Sequence, residues 1–388
     1  MTFRISDFAK INDCPCQENA AQLYRKLSQP KKKMRSHVLP EDTPLPAVHS
    51  GNESFFLLNA GPINRFLVAV TLVIGVLASV SAYAEQARIL IVHSYHEDLP
   101  WAEQCNDGMM SVFADTHRLK HVYLDTKRLP ASQFPDQVQK AMGTFHQFQP
   151  DVVMLGDDNA LRLLGPTISE IGTPIVYFGI NNNPRNYFEV MPKNVIGIIE
   201  RVPLFPWVRH LRLIAPEAKN IHVIMDDSHT SKAIVKVTFA DRKSIIFDNS
   251  TIRYTIIASW SEWQRTVLEA GPDDIFIMPT FHALKNDAGE NIPNDTVAYW
   301  TSTNSPVPIF TLQDYAVGDT GAVGAFTLHG MEHGRIAALL VNGILEGKDF
   351  PELSLLAKQK GTFYFNKKQL QRFGLTLPRH IEMQTIYR

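Results

Sequence analysis

Asp157 and Asp158 stand side by side just after an apolar run, DVVML at 151–155, and Asn159 follows them. Adjacent carboxylates at the end of such a run can serve as an acid–base pair, or as charged acceptors for the amine or hydroxyl groups of a small molecule. The same grouping recurs along the chain. Ser94, Tyr95 and His96 follow RILIVH (88–93), and Gly179, Asn181 and Asn182 close PIVYFGI (174–180). Asp226, Asp227, Ser228 and His229 follow NIHVIM (220–225), Pro279, Thr280 and His282 follow DIFIM (274–278), and Gln313, Asp314 and Tyr315 form a further cluster. A carboxylate at 157 either contacts a ligand or caps a helix beginning at Asn159.

Catalysis is the weaker use of these groups. The chain lacks G-x-S-x-G, H-E-x-x-H, C-x-x-C and G-x-x-x-x-G-K-[ST], and Gly318, Gly321 and Gly324 are spaced by three, unlike the dinucleotide-binding glycines. Metal capture is also weaker. His93 and His96 are three apart and His329 and His333 four apart, but position 93 is a strand end, where the third residue on points the other way. No catalytic residue, metal ligand or cofactor is therefore expected. Tyr95, Trp101, Tyr177, Phe178 and Tyr315 are candidate ring-stacking walls, although by alternation one of Tyr177 and Phe178 must be core.

The elements that position these groups alternate between short β-branched runs and amphipathic stretches, the pattern of parallel sheets covered by helices. Strands are expected at 88–93, 121–125, 151–155, 174–180, 220–225, 252–258 and 274–278, with helices at 101–114, 134–148, 159–164 and 207–214. Ser259 and Glu262 have the spacing of a capping box ahead of a further helix. Two α/β units result. The β-branched VIGIIE at 195–200 lies between them and reads as a hinge strand. In such sheets polar groups at the carboxyl ends of the strands open into a crevice, so two facing rims make a cleft.

The 388 residues carry 38 Lys and Arg against 39 Asp and Glu, a net charge of −1, without the basic excess that non-specific nucleic-acid binding needs. Residues 66–78, FLVAVTLVIGVLA, are uncharged, follow Arg65 and lead to Ala82 and Ala84 at the minus-three and minus-one positions of a signal-peptide cleavage site. The apolar core of this segment, 63–84, is 13 residues long, short of the roughly 18 to 20 a spanning helix needs, so a cleaved signal peptide is expected over an anchor. Residues 1–62 then read as an extension from a translation start placed too far upstream. Residues 1–84 hold 9 basic and 6 acidic residues, leaving 29 and 33 in the remaining 304, a charge of −4. Cys14 and Cys16 fall in the extension and Cys105 stands alone, so the body needs no disulfide.

The C-terminal third reads GAVGAFTLHGMEHGRIAALLVNGILEGKDFPEL and then FYFNKKQLQRFGLTLP. It resembles the end of the ABC transporter substrate-binding protein family with the type I periplasmic-binding fold. The resemblance rests on Gly334, Arg335, Ala337, Ala338, Ile344, Leu345, Gly347, Pro351, Asn366, Gly374, Leu375 and Pro378. Asp349 and Phe350 before Pro351, and His329 and His333 ahead of the helix, depart from the family pattern, so ligand identity does not carry over.

These patterns together predict an α/β protein of two doubly wound parallel-sheet lobes joined by a hinge. Lobe 1 is expected over 85–198 with about 323–350 returning to it, and lobe 2 over 199–322 with about 351–388. A small organic molecule is expected between them, contacted by Ser94, Tyr95, Asp157, Asp158, Asn159, Asn181, Asp226, Ser228, Thr280, Asp314 and Tyr315. With Asp157, Asp158, Asp226 and Asp314 outnumbering Arg128 and Arg162, amine or hydroxyl donors beside an apolar or ring portion are favoured over phosphates. Asp158 and Asp226 are expected to bridge that ligand from opposite lobes on hinge closure. The resemblance implies a periplasmic monomer serving an ABC permease; a membrane histidine kinase or cyclase that senses the closed form is the alternative partner. N-terminal sequencing of the exported protein is expected to read from Glu85, and a read starting anywhere within 1–80 would refute the assigned signal peptide.

Overall fold

The central runs are apolar at every position rather than at alternate ones, which requires a sheet covered on both faces. In the computed structural model, which describes residues 86–114, 116–348, 355–356 and 361–388, they sit at the centre of two such sheets. The expected extension (1–62), signal segment (63–84) and turn at Asp349, Phe350 and Pro351 lie outside the described residues. Among the described residues no helix is long and apolar enough to cross a membrane.

The lobe 1 sheet is entirely parallel. Its strands are β1 (Arg88–His93), β2 (Arg118–Tyr123), β3 (Val152–Gly156), β4 (Ile175–Ile180), β5 (Val195–Ile199) and the two-residue β12 (Leu355–Leu356), in the order β12-β5-β4-β3-β1-β2. Successive residues feed opposite faces. Ile89, Ile91, Met154 and Phe178 pack towards α1 (Pro100–Phe113) and α8 (Gly330–Leu345). Leu90, Val92, Leu155 and Tyr177 pack towards α2 (Phe134–Phe148) and α3 (Asp157–Ile171). Tyr177 and Phe178 are thus both core, because both faces are covered.

Lobe 2 has the order β14-β13-β11-β10-β9-β6-β8-β7. Its parallel centre comprises β6 (Asn220–Asp226), β8 (Ser250–Ile257), β9 (Asp274–Thr280), β10 (Ile309–Thr311) and β11 (Gly324–Thr327). The strand β7 (Ser244–Phe247) and β13 (Thr362–Phe365) join antiparallel, and β14 (Thr385–Tyr387) extends the sheet beyond β13. Helices α4 (Leu204–Ile214), α5 (His229–Ile234), α6 (Trp260–Leu268) and α7 (Asn294–Asn304) belong to this lobe. Ser259 caps α6, its hydroxyl accepting from the Glu262 N–H at 3.2 Å.

Three differences from the sequence reading affect the site. VIGIIE is an interior strand of lobe 1 rather than the hinge, because it hydrogen-bonds to β4 and β12 on either side; the crossing follows at Glu200–Pro203. The return to lobe 1 comes after Thr327 rather than near 323, since β11 pairs with β10 and β13, and Leu355–Leu356 still belongs to lobe 1. The second strand ends at Tyr123, two residues earlier than expected, so residues 124–129 become a loop at the carboxyl edge.

Helices α1 and α8 approach closely because glycines face the contact. A Cβ at Gly334 would lie 1.9 Å from the Cys105 carbonyl oxygen, and one at Gly108 1.9 Å from that of Met331. Rigid backbone is the obstacle in both places, so the helices must part to admit a methyl group. Gly334→Ala is expected to cost about 1–3 kcal/mol of stability, read as a lower urea midpoint; an unchanged midpoint would mean that this crossing yields freely.

Candidate functional site

Two buried aspartates shape the rims. In lobe 1 Asp158 accepts the N–H groups of Asn181 and Asn182, each at 3.0 Å, and the Tyr187 hydroxyl at 2.8 Å, which ties the end of β3 to the loop after β4. In lobe 2 Asp226 accepts the N–H groups of His282 (2.7 Å) and Ala283 (2.9 Å), the Ser231 hydroxyl (2.8 Å) and the Ser228 N–H (3.3 Å). Here the carboxylate ties the end of β6 to the loop after β9. Each oxygen already accepts at least one hydrogen bond from its own lobe, so these side chains set loop positions.

Between the rims lies a cleft with about 610 Å³ of atom-free space, its open mouth included. Lobe 1 lines it with Tyr95, Trp101, Lys127, Asp157, Asn181 and Glu200, and lobe 2 with Thr230, Thr280, His282, Leu312, Gln313 and Tyr315. Val202 and Pro203 of the crossing line it as well. The lobes meet around it: the Tyr95 hydroxyl lies 2.8 Å from Thr230 Oγ1, and Lys127 Nζ donates to His282 Nδ1 at 3.4 Å.

Three groups on these walls have hydrogen-bonding capacity to spare. Asp157, 5% exposed, takes a left-handed backbone (φ 65°) between β3 and the body of α3, and its carboxyl has the Tyr95 hydroxyl as side-chain partner. Trp101 Nε1 is buried without a partner. Both reach the same place, since a Cβ built on Gly179 would be 3.5 Å from Asp157 Oδ1 and 3.6 Å from Trp101 Nε1. A donor chain into lobe 2 starts at Lys127, also on the lobe 1 side, whose ammonium lies 4.2 Å from the centre of the Tyr95 ring. Burial and the Lys127 charge hold His282 well below the usual histidine range, so its Nδ1 accepts from Lys127. Its Nε2–H then donates to the Tyr315 hydroxyl at 2.6 Å, leaving the Tyr315 proton for an acceptor in the cleft.

The charges are unevenly shared. Burial, then Glu200, pushes Asp157 well above the ordinary carboxylate range, against the pull of Lys127. Glu200 is raised to about 7, first by burial and then by Asp158. Lys127 is lowered by burial, with Asp226, Asp157 and Glu200 acting to hold it up. Among the described residues no three histidine, cysteine or acidic side chains are grouped so as to hold a metal ion.

Of the eleven residues read from sequence, Tyr95, Asp157, Asn181, Thr280 and Tyr315 line the cleft. Asp158 and Asp226 do not, being turned to the loops they hold. Ser94 is buried, bonded to the Gly156 carbonyl and the Ala160 N–H (2.7 Å each). Asn159 donates to Thr126 Oγ1 at 2.9 Å, and Ser228 caps α5 by accepting from the Ser231 N–H. Asp314 is held by Arg388 at 2.8 Å and by Gln104 at 3.4 Å. The cap alternative for Asp157 fails as well, because α3 begins at Asp157 itself and no side chain caps it. Sequence reasoning left out Lys127 and Glu200, whose only signal is that each follows a strand end, 123 and 199. Arg128 and Arg162 do not line the cleft, bonding instead to Asp125 and Asn159.

No family model matches the sequence, and no curated protein matches it. Solved structures do match in shape. An ABC domain in complex with L-Trp from Streptococcus pneumonia is similar with a TM-score of 0.58 at 15% identity, over 78% of this chain and 99% of that one. A conserved domain protein from Vibrio cholerae gives 0.56 at 16% identity, again over 78% and 99%. A substrate binding protein with adhesive properties from Clostridium difficile, in a ligand-free, open structure, gives 0.53 at 15% over the same shares. The chain has the type I periplasmic-binding fold. In this type I fold each lobe presents the carboxyl ends of its parallel strands to the cleft, so the clasped aspartates and the free polar groups occupy neighbouring positions on one edge.

Two outcomes are expected of this arrangement. Asp226→Ala strands several buried donors and should cost on the order of 3 kcal/mol, measured by urea unfolding; a loss below about 1 kcal/mol would show that water replaces the carboxylate. Glu200 has a folded pKa of about 7 against an ordinary 4.5, so the folded chain binds more protons than the unfolded one between those values. Stability therefore falls as pH rises from 4.5 through 7. Glu200→Gln should flatten that slope, with Asp157 supplying what remains, and parallel urea midpoints for both proteins across this window would contradict it.

Proposed function

We propose that this chain is an exported solute-binding protein that closes two lobes around a small zwitterion with an apolar or aromatic portion and delivers it to an ABC permease. One observation carries the reading. Lys127 and Asp157 are a buried amine and a buried carboxyl on the cleft walls, and among the described residues they form no ion pair with each other or with any other side chain. Unpaired buried charges are costly, and a ligand with an ammonium group for Asp157 and a carboxylate for Lys127 and Tyr315 would offset both. The apolar wall of Trp101, Leu99, Ile234 and Leu312 suits a ring or branched chain.

This narrows the expectation of an amine or hydroxyl ligand, since the acids of the cleft share their lobe with a buried lysine that the sequence pattern does not flag. The L-Trp held by the Streptococcus pneumonia domain is a molecule of this kind and supports the class. The acids face a closing two-lobe cleft, which favours capture over catalysis. The signal segment supports export, and the fold supports the permease as recipient.

Calorimetric titration with L-tryptophan, tryptamine and indole-3-propionate tests the reading, because the last two each lack one charge. L-tryptophan should bind tightest. Lys127→Ala should weaken L-tryptophan but not tryptamine, and Asp157→Ala should weaken L-tryptophan but not indole-3-propionate, each by roughly 10- to 150-fold. Binding of a neutral or phosphorylated sugar, with none of a wider set of amino acids binding, would refute the zwitterion class.

A further inference from the structure

Outside the cleft, Tyr187 of lobe 1 meets His229 of lobe 2. Tyr187 lies in the turn after β4 and His229 is the first residue of α5; neither lines the cleft. The hydroxyl oxygen and His229 Nε2 are 2.8 Å apart, with the two rings tilted at 5.9 Å. A tyrosine hydroxyl has one proton, and this one is donated to Asp158 Oδ1 at 2.8 Å. The bond across the lobes is therefore donated by the His229 Nε2–H.

Both partners are held in place by their own lobe. Asp158 is fixed by the Asn181 and Asn182 N–H groups, and Asn182 Nδ2 also donates to the Tyr187 hydroxyl at 3.2 Å. His229 stands on a helix end fixed by the Ser228 cap and by the Ser231 bond to Asp226. The two aspartate clasps thus aim one acceptor and one donor at each other. Little side-chain freedom is left to lose when they meet, so most of the bond's strength goes to holding the lobes together.

We propose that Tyr187 and His229 form a latch that holds the lobes shut from outside the binding cleft, so that the protein populates the closed form before any ligand arrives. The proposal rests on lobe closure as the binding movement, but on no particular ligand. Apparent affinity is the intrinsic affinity scaled by the closed fraction, so a bond made only on closure tightens binding without touching the ligand. One such hydrogen bond shifts the closed-to-open ratio by roughly 3- to 10-fold. Tyr187 and His229 are positioning residues in this sense.

Small-angle X-ray scattering of the full chain with no ligand added tests the latch, comparing wild type with Tyr187→Phe, His229→Ala, His229→Gln and the Tyr187→Phe/His229→Ala double variant. Both single variants should give a larger radius of gyration than wild type, and the double variant no more than the larger single, because the two substitutions remove the same bond. His229→Gln, which restores an N–H donor, should move back towards wild type. Melting midpoints identify any variant that fails to fold; His229→Ala removes no hydrogen bond that Asp158 or Asp226 accepts, so it keeps the test open if Tyr187→Phe misfolds. Coincident scattering curves for wild type and His229→Ala would overturn the latch, as would expansion in Tyr187→Phe alone. Either result leaves the capture reading intact, since that is decided by titration.

Discussion

A buried carboxylate that grips the backbone of the neighbouring strand's loop is the interaction on which both lobes depend. Parallel strands bring polar loops together at one edge, where several N–H groups have no strand partner and little water reaches them. Asp158 and Asp226 resolve this in the same way in the two lobes, each accepting two successive N–H groups from the loop after the adjacent strand. These bonds set the backbone of Asn181 on one side of the cleft and of His282 on the other.

The alternation of strand and helix is legible in the sequence because apolar runs of this length have few other uses, and the carboxyl-edge residues follow from it. What each edge residue does is not legible. The chain has two Asp-Asp pairs after strands, and they are used in opposite registers. In lobe 1 the first aspartate faces the cleft and the second clasps; in lobe 2 the first clasps, and Asp227 reaches outward to Lys232 at 2.8 Å. The difference is one left-handed residue at Asp157, whereas β6 runs on through Asp226 itself. No sequence pattern announces a single backbone turn of that kind. Lys127 escapes a sequence reading because the second strand ends two residues early, which hides a whole loop of the rim.

The cleft combines two arrangements that work against each other. Its walls keep Lys127 and Asp157 apart, so that each retains capacity for a partner, at a cost in burial that pushes both away from their ordinary ionisation. Around the rim, contacts between the lobes at Tyr95 and Thr230 and at Tyr187 and His229 favour closure over that cost.

Helix α8 comes after the second crossing yet packs on the same sheet face as α1, where Ile91, Met154 and Phe178 are buried. As the chain is synthesised, strands β1 to β5 and helix α1 emerge more than a hundred residues before the helix that finishes covering that face. Lobe 2 is almost wholly made in the interval. The first-made lobe therefore waits for a late helix: until residue 345 is present one of its apolar faces lacks part of its cover, and lobe 2 in turn is finished only by β13 and β14 at the end of the chain.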